Sequence, residues 1–218
     1  MADDAVPPAV RAQLLATEHW GLLAARGTAQ SEVLTRISMF LTLVSAALVS
    51  LALIGQATDF SEAFLASAVA VVGFVCIVGV LTQIRVINVA LEDLMYVLAM
   101  NRLRAAYVSL DPGISPYLMT SPHDDLAGSA RTYYFLGART TGSQVGGSSM
   151  VFIIVVNSAL IGLFVAAALN SLEAPGPLLV SAGVVCGAVF LVVSVMRGGL
   201  AYRGVWRTHV PVSPTREA

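Results

Sequence analysis

The chain has no lysine. All twelve basic residues are arginine, set against thirteen acids and three histidines, and the formal net charge is −1. We read the missing lysine as the codon composition of a GC-rich bacterial genome. It excludes a Walker A phosphate loop in standard form, although Gly142–Gly147 is glycine-rich. A net charge near zero leaves no bulk basic field for nucleic acid. Charged residues make up 11% of the 218 positions, against about 25% in a soluble domain. Cysteine is scarce as well. Cys76 and Cys186 are the only two, and both lie in apolar runs, where a thiol behaves as a small apolar group. No Cys-x-x-Cys or Cys/His zinc spacing occurs. Gly-x-Ser-x-Gly, His-Glu-x-x-His and dinucleotide-binding fingerprints are also missing, and no cofactor is implied.

Charge is absent from four long stretches: Ile37–Thr58, Ala63–Ile84, Thr140–Leu172 and Ala174–Met196. Each can cross a bilayer, which takes about 20 apolar residues in a helix. No Asp, Glu, Lys, Arg or His sits inside them, whereas ion-coupled transporters, proton pumps and voltage sensors carry such groups. None has an interior proline of the kind that breaks the helices of secondary transporters. The expected fold is all-α: four transmembrane helices as two hairpins, plus cytoplasmic helices. The organisation is a cytoplasmic N-terminal helix over 1–36, a first hairpin over 37–84 and cytoplasmic helices and loop over 85–149. A second hairpin over 150–196 and a tail over 197–218 complete it. With no cleavable signal visible, the first span is expected to act as an uncleaved anchor.

The arginines give one orientation. Arg11, Arg26 and Arg36 precede the first span. Arg85, Arg102, Arg104, Arg131 and Arg139 separate the second from the third, and Arg197, Arg203, Arg207 and Arg216 follow the fourth. The remaining connections, Gln56–Glu62 and Asn170–Gly176, hold only acids. Positive residues stay inside, so both termini are expected in the cytoplasm of a bacterial inner membrane.

Local signals fill in the plan. Pro7-Pro8 opens a helix that Gly27 interrupts. Asp59 and Glu62 form a capping-box pattern ahead of the second span. Ile84, Ile87, Leu91, Leu94 and Leu98 continue beyond that span as a heptad-like stripe, and Asp111-Pro112-Gly113 stops it. Ser121 reads as an N-cap with Pro122 at N1 and Asp124 at N3. Thr140–Ser149 reads as a flexible joint and the last residues as a disordered Pro-rich end. The helix–span–span plan occurs twice, and Val44–Leu51 resembles Val156–Leu163, as an internal duplication would.

Five groups of residues are candidates for function. His123, Asp124 and Asp125 are the one cluster with metal-ligand chemistry, although a helix start explains the same residues. Leu91, Leu94, Leu98, Glu92 and Tyr96 offer a cytoplasmic contact face. Glu92, Asp93 and Tyr96 with Arg102 and Arg104 form either a polar network or a solvated face. Asn157 either lines a pore or bonds a neighbouring helix, while Ser158, Gly162, Gly183 and Gly187 are small residues that let helices approach. Arg197, Tyr202, Arg203, Trp206 and Arg207 suit an anionic membrane surface.

The runs Met100–Tyr107, Asp111–Tyr117 and His123–Asp125, with Glu18–Trp20 and Ser38–Phe40, resemble a group of uncharacterised bacterial four-span integral membrane proteins. The likeness covers most of residues 18–170 and implies the four-span fold, with no site residues to carry over. There is a weaker likeness to two-span membrane effectors of bacterial nucleotide-signalling conflict systems. The expected function is that of an integral membrane protein without an enzymatic motif. It would self-associate and act as a channel or pore, or as a membrane scaffold or sensor with its working face in the cytoplasm. Its partners would be the lipid bilayer, further copies of itself and a cytoplasmic protein, with no nucleic acid. The alternative is a metal-dependent enzyme at the inner membrane surface using His123, Asp124 and Asp125.

Overall fold

Few residues in this chain interrupt a helix, and the helices are correspondingly long. The computed structural model describes residues 6–137, 140, 142 and 146–215. In chain order they form α1 (Pro8–Ala57), α2 (Glu62–Leu110), a 3-10 helix (Pro112–Tyr117), α3 (Leu126–Tyr133), α4 (Ser149–Asn170) and α5 (Gly176–Thr208). No strand occurs among the described residues. Helices α1, α2, α4 and α5 are long and apolar enough to cross a membrane, which suits a multi-pass membrane protein. Arg139, Arg216, residues 1–5 and, within the Thr140–Ser149 joint, residues 141 and 143–145 lie outside the described residues.

α1 and α2 have 50 and 49 residues. At 1.5 Å per residue each is about 75 Å long, well beyond the roughly 30 Å of a hydrocarbon core. The break expected at Gly27 is absent. An exposed helical glycine costs only about 1 kcal/mol relative to alanine, too little to stop a helix of this length. The N-terminal helix and the first apolar run are therefore one helix.

The expected capping box at Asp59 also does not form. Asp59 and Phe60 take left-handed φ values of 49° and 54°. The Phe60 N–H donates to Gly55 O at 3.0 Å, a closure of the kind that terminates helices. The Phe60 ring lies where a Gly55 side chain would be. α2 then starts beyond it, with Ser61 O accepting from the N–H groups of Phe64 and Leu65. At its far end Asp111 Oδ1 accepts from the Gly113 N–H at 2.8 Å, and Pro112 opens the 3-10 helix.

The chain divides into two units. The first comprises residues 1–31, 89–141 and 202–218, and the second 32–88 and 142–201. The first unit has Leu94, Val97, Leu98 and Met100 at its centre, together with fully buried Asn101 and Asp124. Phe40, Val75, Ile153 and Ile154 form the centre of the second, with Asn157 among them.

Candidate functional site

The first unit concentrates the polar chemistry, and Asp124 is its focus. The Asp124 side chain is fully buried. Oδ2 accepts from the Arg102 guanidinium of α2 and from the Val212 N–H at 3.1 Å, while Oδ1 accepts from the Ser213 N–H at 2.8 Å. Arg102 Nη2 also donates to Val210 O at 2.9 Å. The Asp124 N–H donates to Ser213 O at 3.2 Å, and His209 Nε2 lies 2.6 Å from Asp124 O. Burial alone would raise this carboxyl's pKa. The Arg102 hydrogen bond and the two backbone N–H groups outweigh burial and hold it below the usual carboxylate range.

Asp125 does two jobs. Oδ1 accepts from the Gly128 N–H at 2.7 Å, which caps α3. Its oxygens also accept from the Thr215 N–H at 2.6 Å and the Thr215 hydroxyl at 3.0 Å. Here too burial acts upward, the N–H and O–H donors outweigh it, and the pKa falls. The helix therefore begins at Leu126 with Asp125 as its cap, instead of at Ser121. Ser121 Oγ accepts from the His123 N–H at 3.1 Å, a local turn that competes with helix. The Pro-rich end, expected to be disordered, is held as far as Thr215 because two adjacent carboxylates take its N–H groups.

A second buried network surrounds Asn101 of α2. Its Nδ2 donates to His123 O at 2.7 Å, and its Oδ1 accepts from Thr132 Oγ1 at 2.9 Å and Arg104 Nη1 at 2.7 Å. Thr132 Oγ1 in turn accepts from the Ser121 N–H at 3.2 Å. A third network centres on Asp93. It accepts from Arg26 Nε at 2.6 Å, Gln30 Nε2 at 2.7 Å and the Tyr133 hydroxyl at 2.8 Å, so one carboxylate ties α1 and α3 to α2. Burial, followed by the Asp93 charge, pushes the Tyr133 pKa far up. Burial and then Arg104 lower that of His19, whose Nδ1 is buried without a partner among the described residues.

The second unit uses its polar side chains differently. Asn157 of α4 is 1% exposed. Its Nδ2 donates to Gly79 O at 2.8 Å and Gln83 Oε1 at 2.9 Å, both on α2. A side chain on Gly79 would collide with Asn157 Oδ1 and meet Phe40 Cζ at 2.8 Å. Gln83, 6% exposed, is thus a second strongly polar residue in the spans besides Asn157. Gly162, Gly183 and Gly187 let α4 and α5 touch at backbone distance. A Cβ on Gly183 would stand 2.7 Å from Gly162 O, and one on Gly187 the same distance from Ser158 O. Outside the apolar runs, Glu32 accepts from Arg85 Nη2 at 2.9 Å and Arg36 Nε at 2.9 Å, and Arg85 first, then Arg36, lowers its pKa.

The remaining candidates are placed as follows. Leu94 and Leu98 are core residues at 2% and 4% exposure, which removes them from any exposed contact face. Leu91, Glu92 and Tyr96 are half-buried on α2. Arg197, Arg203 and Arg207 are exposed along α5, while Trp206 is half-buried and meets the Tyr202 and His209 rings edge-on. His123, Asp124 and Asp125 are brought together with Arg102 and the segment 209–215. Among the described residues no three His, Cys, Asp or Glu side chains gather as metal ligands would. Reading the sequence missed Asn101, Arg26, Gln30, Tyr133 and the strap over 209–215. Apart from Arg104, three positions from Asn101, the partners named above lie 22 to 108 positions away, and no local spacing announces them. No family model matches the chain, and no curated protein or solved structure matches it.

Proposed function

We propose that this protein is a non-enzymatic, self-associating membrane scaffold or sensor. In this reading α1, α2, α4 and α5 cross the bacterial inner membrane as two hairpins, and the first unit is the working face in the cytoplasm. One observation carries the choice of scaffold over pore. Asn157 and Gln83, the amide side chains buried within the apolar runs among the described residues, are spent on each other: the Asn157 amide is bonded to Gly79 O and Gln83 Oε1. A residue lining a water path would keep a face toward water; this one stitches two helices. The charged networks lie outside the apolar runs: those on Asp93 and Asp124 in the first unit, and Glu32 with Arg85 and Arg36 in the second.

Orientation rests on the arginines, since the connections at 58–61 and 171–175 contain none. The apolar surface leaves room for self-association. Only 11% of the apolar window of α5 and 17% of that of α1 is buried within one copy, so lipid or a second copy must cover the rest. The partners proposed are therefore the bilayer, a second copy and a cytoplasmic protein. Native mass spectrometry of the protein released from lipid nanodiscs tests this reading. A dimer or other small assembly is expected. A ring of four or more subunits would give a pore several copies from which to build a polar interior, and would displace the scaffold reading.

A further inference from the structure

The segment from His209 to Thr215 follows α5 without secondary structure of its own, yet it is bound along its length. The Val212 and Ser213 N–H groups donate to Asp124, and the Thr215 N–H to Asp125. Val210 O accepts from Arg102, and Ser213 O accepts from the Asp124 N–H. Most of the contacts read main chain; the exceptions are the His209 ring, 2.6 Å from Asp124 O, and the Thr215 hydroxyl, which donates to Asp125. The apolar side chains are left out: Val210 is 77% exposed and Val212 73%. His209 packs edge-on against Trp206, but beyond it the segment is held by hydrogen bonds with no apolar side chain buried, and it lacks the burial that makes packing cooperative with the core. Fixing seven residues opposes the bonds that they gain, so closure is near balance.

The cradle, by contrast, is built into the core. Asp124 is fully buried while the strap is in place, and Arg102 is anchored on α2. His209, at the root of the strap, also forms one wall of a groove lined by Leu22, Met95, Leu98 and Leu103. Lifting the strap therefore does two things. It uncovers the Asp124 carboxylate and the Arg102 guanidinium, and it removes one wall from an apolar groove.

We propose that residues 209–215 are a latch on the first unit: a strap that opens locally, without unfolding α2, and whose open state exposes the Asp124–Arg102 pair and the groove beside it. The proposal does not depend on the scaffold reading, since it concerns the first unit alone. Hydrogen–deuterium exchange of the full-length protein in lipid nanodiscs tests it. The amides of Val212, Ser213 and Thr215 are expected to exchange at least tenfold more slowly than in the free peptide. They should nonetheless exchange at least a hundredfold faster than the α2 amides around Val97.

In Asp124→Asn the strap protection should disappear while α2 is unchanged. Ser213→Pro removes one strap donor and leaves the buried carboxylate alone, and it should give the same result. Strap amides that exchange as slowly as α2 would overturn the proposal, because the strap would then be part of the core. Strap amides as fast as free peptide in the unaltered protein would also overturn it, as would loss of α2 protection in the Ser213→Pro variant.

Discussion

Replacing Asn157 with leucine separates a packing residue from a pore residue. The side chains are similar in size, so the change removes chemistry more than volume. Two hydrogen bonds are lost, to Gly79 O at 2.8 Å and Gln83 Oε1 at 2.9 Å. Interhelical bonds in membranes average about 0.6 kcal/mol and reach about 1.7, so the pair contributes about 1–3 kcal/mol. Gln83, 6% exposed, would also be left with an unsatisfied amide oxygen, at a cost of about 1–3 kcal/mol. Removing the unpartnered Asn157 Oδ1 offsets part of this. The expected loss is about 2–3 kcal/mol, or about 30- to 150-fold in the folded-to-unfolded ratio. Steric-trapping measurements of unfolding in bicelles would read it. Adding Gln83→Leu should recover part of the loss, because the orphaned amide goes with it. A single variant as stable as the parent would refute the packing role, as would a double variant whose loss is the sum of the two single losses.

Three other changes have defined outcomes. Gly183→Leu puts a side chain where Gly162 O stands 2.7 Å from an ideal Cβ; α4 and α5 must separate, and unfolding should become easier by at least about 1–3 kcal/mol in the same assay. Tyr133→Phe deletes one donor to Asp93; the residue is 38% exposed, so the cost should be that of an ordinary hydrogen bond, about 0.5–1.5 kcal/mol, and in the parent ultraviolet titration should place the Tyr133 midpoint above that of an ordinary tyrosine. His19 binds a proton less readily folded than unfolded. Its contribution to stability is therefore complete above its ordinary pKa of about 6.5 and is lost as the pH falls toward its lower folded value. His19→Gln should flatten the thermal stability of the protein between pH 7.5 and 5.5.

The long helices were legible because composition alone dictates them. Four uncharged runs of bilayer length can hardly be anything but helices, and Pro8 and Asp111 mark a start and a stop that the structure keeps. Where local signals competed, the sequence misled. Asp59 and Glu62 spell a capping box, but the left-handed closure onto Gly55 wins. Ser121 and Pro122 spell a helix start, but Asp125 is the cap because Asp124 is committed to Arg102 and the strap. The heptad-like leucines 94 and 98 were visible as a stripe, yet a stripe does not say whether it faces a partner or its own core. The buried networks were least legible. Asp93 meets Arg26 across 67 positions and Asp124 meets Ser213 across 89; only the tertiary fold brings such pairs together.

Ion flux through proteoliposomes most directly tests the claim that the spans form a closed scaffold. Purified protein would be reconstituted at several copies per vesicle, with potassium and chloride release followed against empty vesicles. Release at the rate of empty vesicles, in the parent and in Asn157→Leu alike, is the expected result. Release well above that rate in the parent, abolished in Asn157→Leu, would contradict the scaffold and make Asn157 a pore residue.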